Sequence, residues 1–335
     1  MTGRGWPWLA VLLLGLSARS ANDLPPLTIV ASGLTEDYLE PCGCGGQDAG
    51  GLARRAEMIA EVRRNRRGPV VVLEAGDFGV RPERLPVTLQ AVGHMAPDAC
   101  GLSADDLTLW DQLAPLTIDR ALPTTSVVPP GVGRPVTSEL RPASHLIVGP
   151  PDGWRIGVVS ASFGGLSLYD IARRCGAELQ ALRAAEVHLT VLISHLGRAA
   201  TEQMVPRLEG PAPEVILLAT SANAPAQPWQ SQGTWWVPLA YRGRSLSVLT
   251  LDAPGAGLKV AQQLVKTGPL DSTVQHWVDT FYQRLRVGEA KLVPEPVPYL
   301  KPEACAGCHA AAVSAWRAQP HARAVDTLVA RQRDV

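Results

Sequence analysis

The sequence predicts an α/β body followed by a small helical tail, and three observations carry that expectation. Short runs rich in Val, Ile and Leu recur between residues 27 and 251, each of strand length rather than helix length. Longer stretches with helical apolar spacing lie between them. Beyond a Pro-rich stretch, Val293 to Pro298, the last residues carry a Cys-x-x-Cys-His motif at Cys305, Cys308 and His309. Hydrophobic residues make up 46% of the 335, enough for one large core with an appendage.

The elements follow in order. Arg4, an apolar run from Trp6 to Leu16, and small residues at Ala18 and Ser20 read as a secretory signal over residues 1–20, cleaved after Ser20. The competing reading is an uncleaved anchor, but the apolar run falls short of the ~20 residues that span a bilayer. No second candidate span follows, so no membrane span is expected after signal cleavage. Leu27 to Ala31 is the first buried strand, followed by a Gly- and Cys-rich loop up to Gly51. Leu52 to Arg67 has helical spacing, with Ala53, Ala56, Ile59 and Ala60 inward and arginines outward. Pro69 to Glu74 is a second strand, ended by Ala75, Gly76 and Asp77; α/β folds usually place their sites at such strand ends. The segment 123–142 is a Pro/Gly-rich surface excursion. Strands over 145–149 and 154–160 flank a Pro-Asp-Gly turn. A helix over 168–185 leads to a strand over 187–194 that ends at His195, with further strands over 215–219, 234–238 and 246–251. A helix over 270–289 and the stiff Pro-rich linker occupy 269–298, and the tail occupies 299–335.

Lys plus Arg equal Asp plus Glu at 31 each, which gives no basic excess for nucleic acid. Export places the six cysteines where thiols tend to oxidise. Cys-x-x-Cys-His is the attachment pattern of a c-type haem: two thiols add across the two porphyrin vinyls, and the adjacent His reaches the iron. A redox dithiol would sit in a thioredoxin-like βαβ unit, which does not surround this motif. A zinc site would need another close pair of ligands, and the tail adds only His321. The sixth iron ligand is commonly Met or His. Met1, Met58, Met95 and Met204 all lie far upstream, which leaves His321 and bis-His ligation. That ligation leaves no open iron position and favours electron transfer over catalysis at iron.

The run from Cys305 to His309, with Trp316 and then His321 and Ala322, resembles a module of multihaem c-type cytochromes of the cytochrome c-552/4 kind. That family strings several such motifs, where this chain has one. A lone module of this size buries a haem poorly, so it is expected to rest on the body or on a periplasmic redox protein or multihaem cytochrome.

Gly50 to Ala56 opening a helix, Val71 to Asp77, and Leu192 to Gly197 with His195 resemble the calcineurin-like metallophosphoesterase domain of periplasmic 5′-nucleotidases. The resemblance implies a four-layer αββα sandwich over residues 22–268 and a two-metal, phosphoester-hydrolysing site. It places the bridging Asp at Asp77 and the single His at His195. The remaining ligand positions fall near Leu34 and Glu36, Ala104 and Asp105, and Thr220 and Ala222, where the family's histidines are missing. Asp77 and His195 then either cap strand ends or, with Glu36 and Asp105, hold one divalent metal ion through harder oxygen ligands. Where the first ligands would sit, Pro41, Cys42, Gly43 and Cys44 resemble an exported, nucleotidase-like family in which one cysteine can be selenocysteine. Cys42 and Cys44 are a metal half-site, a reducible disulfide or thiols near a redox partner, or else one pairs with Cys100 or Cys175. The expectation is an exported, periplasmic haem c protein that transfers electrons on a nucleotidase-like scaffold. The alternatives are a metal-dependent phosphoesterase with an appended haem and a non-catalytic subunit of a periplasmic redox complex.

Overall fold

The computed structural model describes residues 24–41, 49–119, 122–130, 141–150, 153–219, 222, 226–288 and 302–330. The signal segment, Cys42 and Cys44, Thr220, residues 131–140 and the Pro-rich linker lie outside the described residues. The described part of the expected surface excursion is instead built into the body: Thr124–Thr125 form a strand, and Val127 and Val128 are buried in the core.

Twelve described strands form two six-stranded sheets. The first has the order β12-β11-β1-β2-β3-β4, with β1 Leu27–Ser32, β2 Val70–Glu74, β3 Ala99–Gly101, β4 Thr124–Thr125, β11 Ser245–Leu251 and β12 Lys259–Leu264. The second has the order β5-β6-β7-β8-β10-β9, with β5 Leu146–Val148, β6 Ile156–Ala161, β7 Leu189–Ser194, β8 Val215–Ala219, β9 Trp229–Ser231 and β10 Thr234–Leu239. Strands β1 to β4 run parallel, as do β6, β7, β8 and β10, while β11, β12, β5 and β9 attach antiparallel.

The unbroken apolar runs are explained by burial on both faces of each sheet. Leu27, Ile29 and Ala31 of β1 join Val71 and Leu73 of β2 in a core between the sheets, met by Val191, Ile193, Val215 and Leu217. The intervening Val30 and Val72 face the opposite way, toward α1 (Leu52–Asn65), α2 (Leu85–Met95) and α7 (Ser272–Arg286). On the second sheet, Val159, Leu192 and Ile216 turn outward to Ile171 and Leu179 of α5 (Leu168–Ala184) and Met204 of α6 (Arg198–Met204). The result is the expected αββα layering. Each fully buried Leu or Ile contributes ~1.5–3 kcal/mol, so the three clusters carry most of the fold's stabilisation.

Helix ends follow local chemistry. Helix α1 stops at Asn65, because Arg66 turns extended ahead of Pro69. Arg63 in its last turn donates to the Met95 and Ala96 carbonyls at 2.6 and 2.7 Å, covering the otherwise open end of α2. Ser167 caps α5 by accepting from Asp170 N at 3.1 Å, and Asp271 caps α7 by accepting from Val274 N at 2.9 Å. Asp271 also meets His94 Nε2 at 2.9 Å, tying α7 to α2.

One outward assignment is corrected. Arg55 points inward, 1% exposed, with Nη1 3.4 Å from Glu74 Oε1; Ser32 Oγ donates to Glu74 Oε2 at 3.3 Å. A charged residue reads as outward by composition, yet the buried Glu74 at the end of β2 supplies the partner that allows it inside. The tail is α8 (Pro302–Arg317), a 3₁₀ turn at Pro320–Arg323 and α9 (Ala324–Ala330).

Candidate functional site

The C-terminal ends of the parallel strands gather one polar centre. Beyond β1 and β2 the two chains stay paired: Leu34 N donates to Gly76 O at 2.8 Å and Glu36 N to Asp77 O at 2.9 Å. Gly243 N donates to Leu34 O at 2.9 Å and Tyr241 N to Ala222 O at 3.0 Å, which brings the turn after β10 alongside. Left-handed backbone concentrates here. Of the eight non-glycine residues with positive φ among the described residues, five belong to this centre: Leu34, Glu36, Asp37, Asp77 and Arg242. Such conformations cost ~1–3 kcal/mol each and cluster at functional sites. Gly76, at φ 75°, permits the turn into Asp77, since a Cβ there would collide with the Gly101 carbonyl.

Asp106 fixes this turn. Its carboxylate accepts from Asp77 N at 2.7 Å, Phe78 N at 3.0 Å and Ser103 N at 2.9 Å, while Ser103 Oγ accepts from Asp106 N at 3.1 Å. Ser103 and Asp106 thereby form a reciprocal capping box on α3 (Ala104–Thr108). The Ser-x-x-Asp spacing at Ser103 and Asp106 is the sequence signal for this box. Asp106 is fully buried and acts on the backbone of its neighbours, while Asp77 presents its side chain.

The electrostatics are those of crowded carboxylates. Burial, followed by the nearby Asp106, Glu36 and Asp105, pushes Asp77 up to about 8, against one weak contact from Ser103 Oγ at 3.4 Å. Burial also raises Glu36, opposed by hydrogen bonds from Tyr241 and Asp77 and by the charge of Arg242. The Arg242 guanidinium lies 4.0 Å from the ring centre of Tyr38 and 4.5 Å from that of Tyr241, a stacked cation beside Glu36. Neither Tyr241 nor Arg242 was legible as a site residue from sequence.

His195 stands at the end of β7, as expected. Its ring is hydrogen-bonded to the Ala75 backbone, and burial pushes it down to about 4, so it is neutral. Its Nε2 is sealed from water and meets no partner among the described residues. Glu36 and Asp77 therefore touch, Asp105 contributes charge, and His195 joins them through the Ala75 backbone. No group of three or more His, Cys, Asp and Glu side chains among the described residues is arranged to hold a metal ion. The apolar Leu34, Ala104 and Ala222 stand at positions where the resemblance asks for ligands. The residues present thus do not fit a two-metal set.

Cys100 and Cys175 are buried and free. Burial drives both thiols upward, Cys175 to about 12, which leaves them inert as nucleophiles. Cys305 and Cys308 are the opposite case: both free, both exposed, one helical turn apart on α8. His309 follows directly, exposed, with backbone outside helical values (φ −125°, ψ 38°). His321 falls in the 3₁₀ turn, its side chain outside what is described. No helix among the described residues is long and apolar enough to cross a membrane.

Neither a protein-family model nor a curated protein matches the sequence. Solved structures do. A 5′-nucleotidase precursor from Thermus thermophilus aligns with a TM-score of 0.61 and 21% identity, over 81% of this chain and 61% of that one. The sulfate thiohydrolase SoxB of the same organism, in complex with glycerol, aligns with a TM-score of 0.60 and 17% identity, over 79% and 62%. The NAD nucleotidase NadN of Haemophilus influenzae aligns with a TM-score of 0.53 and 13% identity, over 80% and 57%. At these identities the likeness is one of fold, and the chain spans less than two thirds of each neighbour's length.

Proposed function

We propose that this chain is an exported, periplasmic electron-transfer protein with one covalent haem c on its C-terminal tail, borne by a 5′-nucleotidase-like scaffold. The observation that carries this reading is the Cys305, Cys308, His309 motif, whose thiols are free, exposed and one helical turn apart. Each thiol adds across one vinyl: sulfur bonds to one carbon, its hydrogen goes to the other, and no oxidant is consumed. Cys305 and Cys308 hold the porphyrin, and His309 and His321 ligate the iron. Bound haem supplies a one-electron couple whose potential the axial ligands set. On the same reading, residues 1–20 are removed on export. The donor or acceptor is a periplasmic redox protein or multihaem cytochrome. Cys42 and Cys44 supply a second redox couple, releasing two electrons and two protons when they close a disulfide.

A second reading is a metal-dependent phosphoesterase with an appended haem. The observation that favours it is the crowding of Glu36, Asp77 and Asp105, whose repulsion one divalent cation would relieve.

The test is production in a host with c-type haem attachment machinery, followed by haem staining, intact mass and an absorbance spectrum. The expected result is a mass gain of one haem, loss of the signal segment and a low-spin spectrum. Cys305→Ser with Cys308→Ser should abolish the stain. An exported protein with free thiols and no haem would sink the proposal. Phosphodiester turnover with manganese, abolished by Asp77→Ala, would favour the second reading instead.

A further inference from the structure

The N-terminal end of α1 carries charge of one sign. Its N-cap, Gly51, offers no side chain, and its first turn holds no acidic residue. Arg54 and Arg55 stand there instead. A helix start has partial positive charge and draws carboxylates or anions, so two arginines in the first turn add cation to cation. Arg244, just before β11, brings a third. It is 3% exposed, and it passes Gly50 so closely that a Cβ there would lie 3.5 Å from Arg244 Cγ. Arg55 and Arg244 are the buried arginines among the described residues.

Glu74 answers only part of this charge. It meets Arg55 through Nη1, at 3.4 Å. Arg55 Nε and Nη2, which form the other edge of the guanidinium, are sealed from water and meet no partner among the described residues. The same holds for Thr35 Oγ1 and Arg244 Nε. Buried donors are nearly always met, and charged ones cost the most when they are not. Arg55 and Thr35 line one crevice with Tyr38, Gly51 and Arg242. The Arg242 guanidinium lies 4.0 Å from the centre of the Tyr38 ring, and with it there the crevice is too narrow for a water molecule. Arg242 is half-buried, so a turn of its side chain opens the crevice and brings a further cation to whatever enters.

The unused edge of Arg55 decides the chemistry of the occupant. Two parallel N–H groups match two oxygens of one oxyanion, a pairing that a halide ion cannot make. The Thr35 hydroxyl can donate to the same ion, and the helix start favours its charge. We propose that the crevice at the start of α1 binds one small inorganic oxyanion of the phosphate or sulfate class, held by Arg55 Nε and Nη2, Thr35 Oγ1 and Arg242. Asp77 and His195 do not line it. The ion offsets the arginine cluster and fastens α1 to the turn after β10. It rests on neither the haem reading nor the phosphoesterase one.

The test uses the full chain, treated with a chelator and dialysed into a chloride buffer free of oxyanions. Sodium phosphate and sodium sulfate are titrated separately by calorimetry, and each is added to a thermal melt. At least one should bind at one ion per chain with Kd below ~1 mM, and should raise the melting temperature more than sodium chloride of equal ionic strength does. Binding of one and not the other names the ion. Arg55→Lys keeps a cation beside Glu74 but loses the two-nitrogen edge, and should weaken binding by about tenfold or more. Thr35→Val keeps the side chain's shape and removes the hydroxyl. It should weaken binding roughly threefold or more and leave the melt in chloride buffer near the parent's. Neither ion binding, melts that follow ionic strength alone, or unchanged affinity in both variants overturns the proposal. Binding that requires manganese and disappears in Asp77→Ala would place the anion on a metal at Asp77 and overturns it too.

Discussion

Replacing Asp77 by Asn should stabilise the body at alkaline pH. Folding carries this carboxyl from 3.8 to about 8, through burial first and then through the charges of Asp106, Glu36 and Asp105. Between those two values the folded protein holds a proton that the unfolded chain has released. Stability therefore falls as pH rises through that window. At ~1.36 kcal/mol per pKa unit, a rise of this size sets a ceiling of ~5–6 kcal/mol. Side-chain relaxation and water entry give an effective dielectric nearer 20 than 4, so the expected gain for the variant at pH 8.5 is ~2–3 kcal/mol. Asn keeps the side chain's size and tolerates the left-handed backbone at φ 56°. The assay is urea unfolding of chelator-treated protein at pH 5 and pH 8.5. The parent should lose stability between the two, and Asp77→Asn should lose ~2 kcal/mol less. A parent that loses no more than the variant would refute the reasoning. Adding manganese separates the two functional readings. A phosphoesterase site would regain its alkaline stability with the metal and lose that response in Asp77→Asn, whereas the electron-transfer reading expects manganese to change neither protein.

Three further outcomes can be measured. Arg55→Met should cost ~3–5 kcal/mol in urea unfolding, because it strands the buried Glu74 carboxyl, and adding Glu74→Leu should recover most of that loss. Asp271→Ala should cost ~1 kcal/mol through the lost cap on α7. The Asp271 carboxyl is held below its usual value, so its contribution is complete above pH ~4 and fades as pH falls through the lower folded value. Thermal melts of the two proteins should accordingly converge at acid pH, below that folded value. His321→Ala should convert a low-spin haem spectrum to a high-spin one while leaving attachment intact; an unchanged spectrum would remove His321 as a ligand.

The strands were legible because burial on both faces makes each a short, unbroken apolar run, as in Val70–Glu74 and Leu189–Ser194. Helix α2 is not legible in the sequence for a related reason. Seven of its eleven residues are buried, so its sequence lacks the polar stripe that marks a helix against one core. Pro115 inside α4 (Trp110–Asp119) hid that helix as well. At the site, Asp77 and His195 could be found because each ends an apolar run. Tyr241 and Arg242 reach Glu36 only through the fold, and nothing in their local sequence points to a carboxylate some two hundred residues earlier. Arg55 was misplaced because its partner Glu74 lies on another element, and a charged residue is assigned to the surface until such a partner is known.

Strand β1 has consequences for the order in which this protein is made. One neighbour, β2, follows it closely, but the other, β11, places Leu251 opposite Leu27. Until the ribosome has passed β11, the first sheet has an open edge along β1, a strand buried over its whole length. Contacts of such long range slow folding and expose incomplete intermediates. On the export reading proposed above this delay is an advantage: the nascent body cannot lock shut, and it stays threadable until nearly the whole α/β unit has emerged.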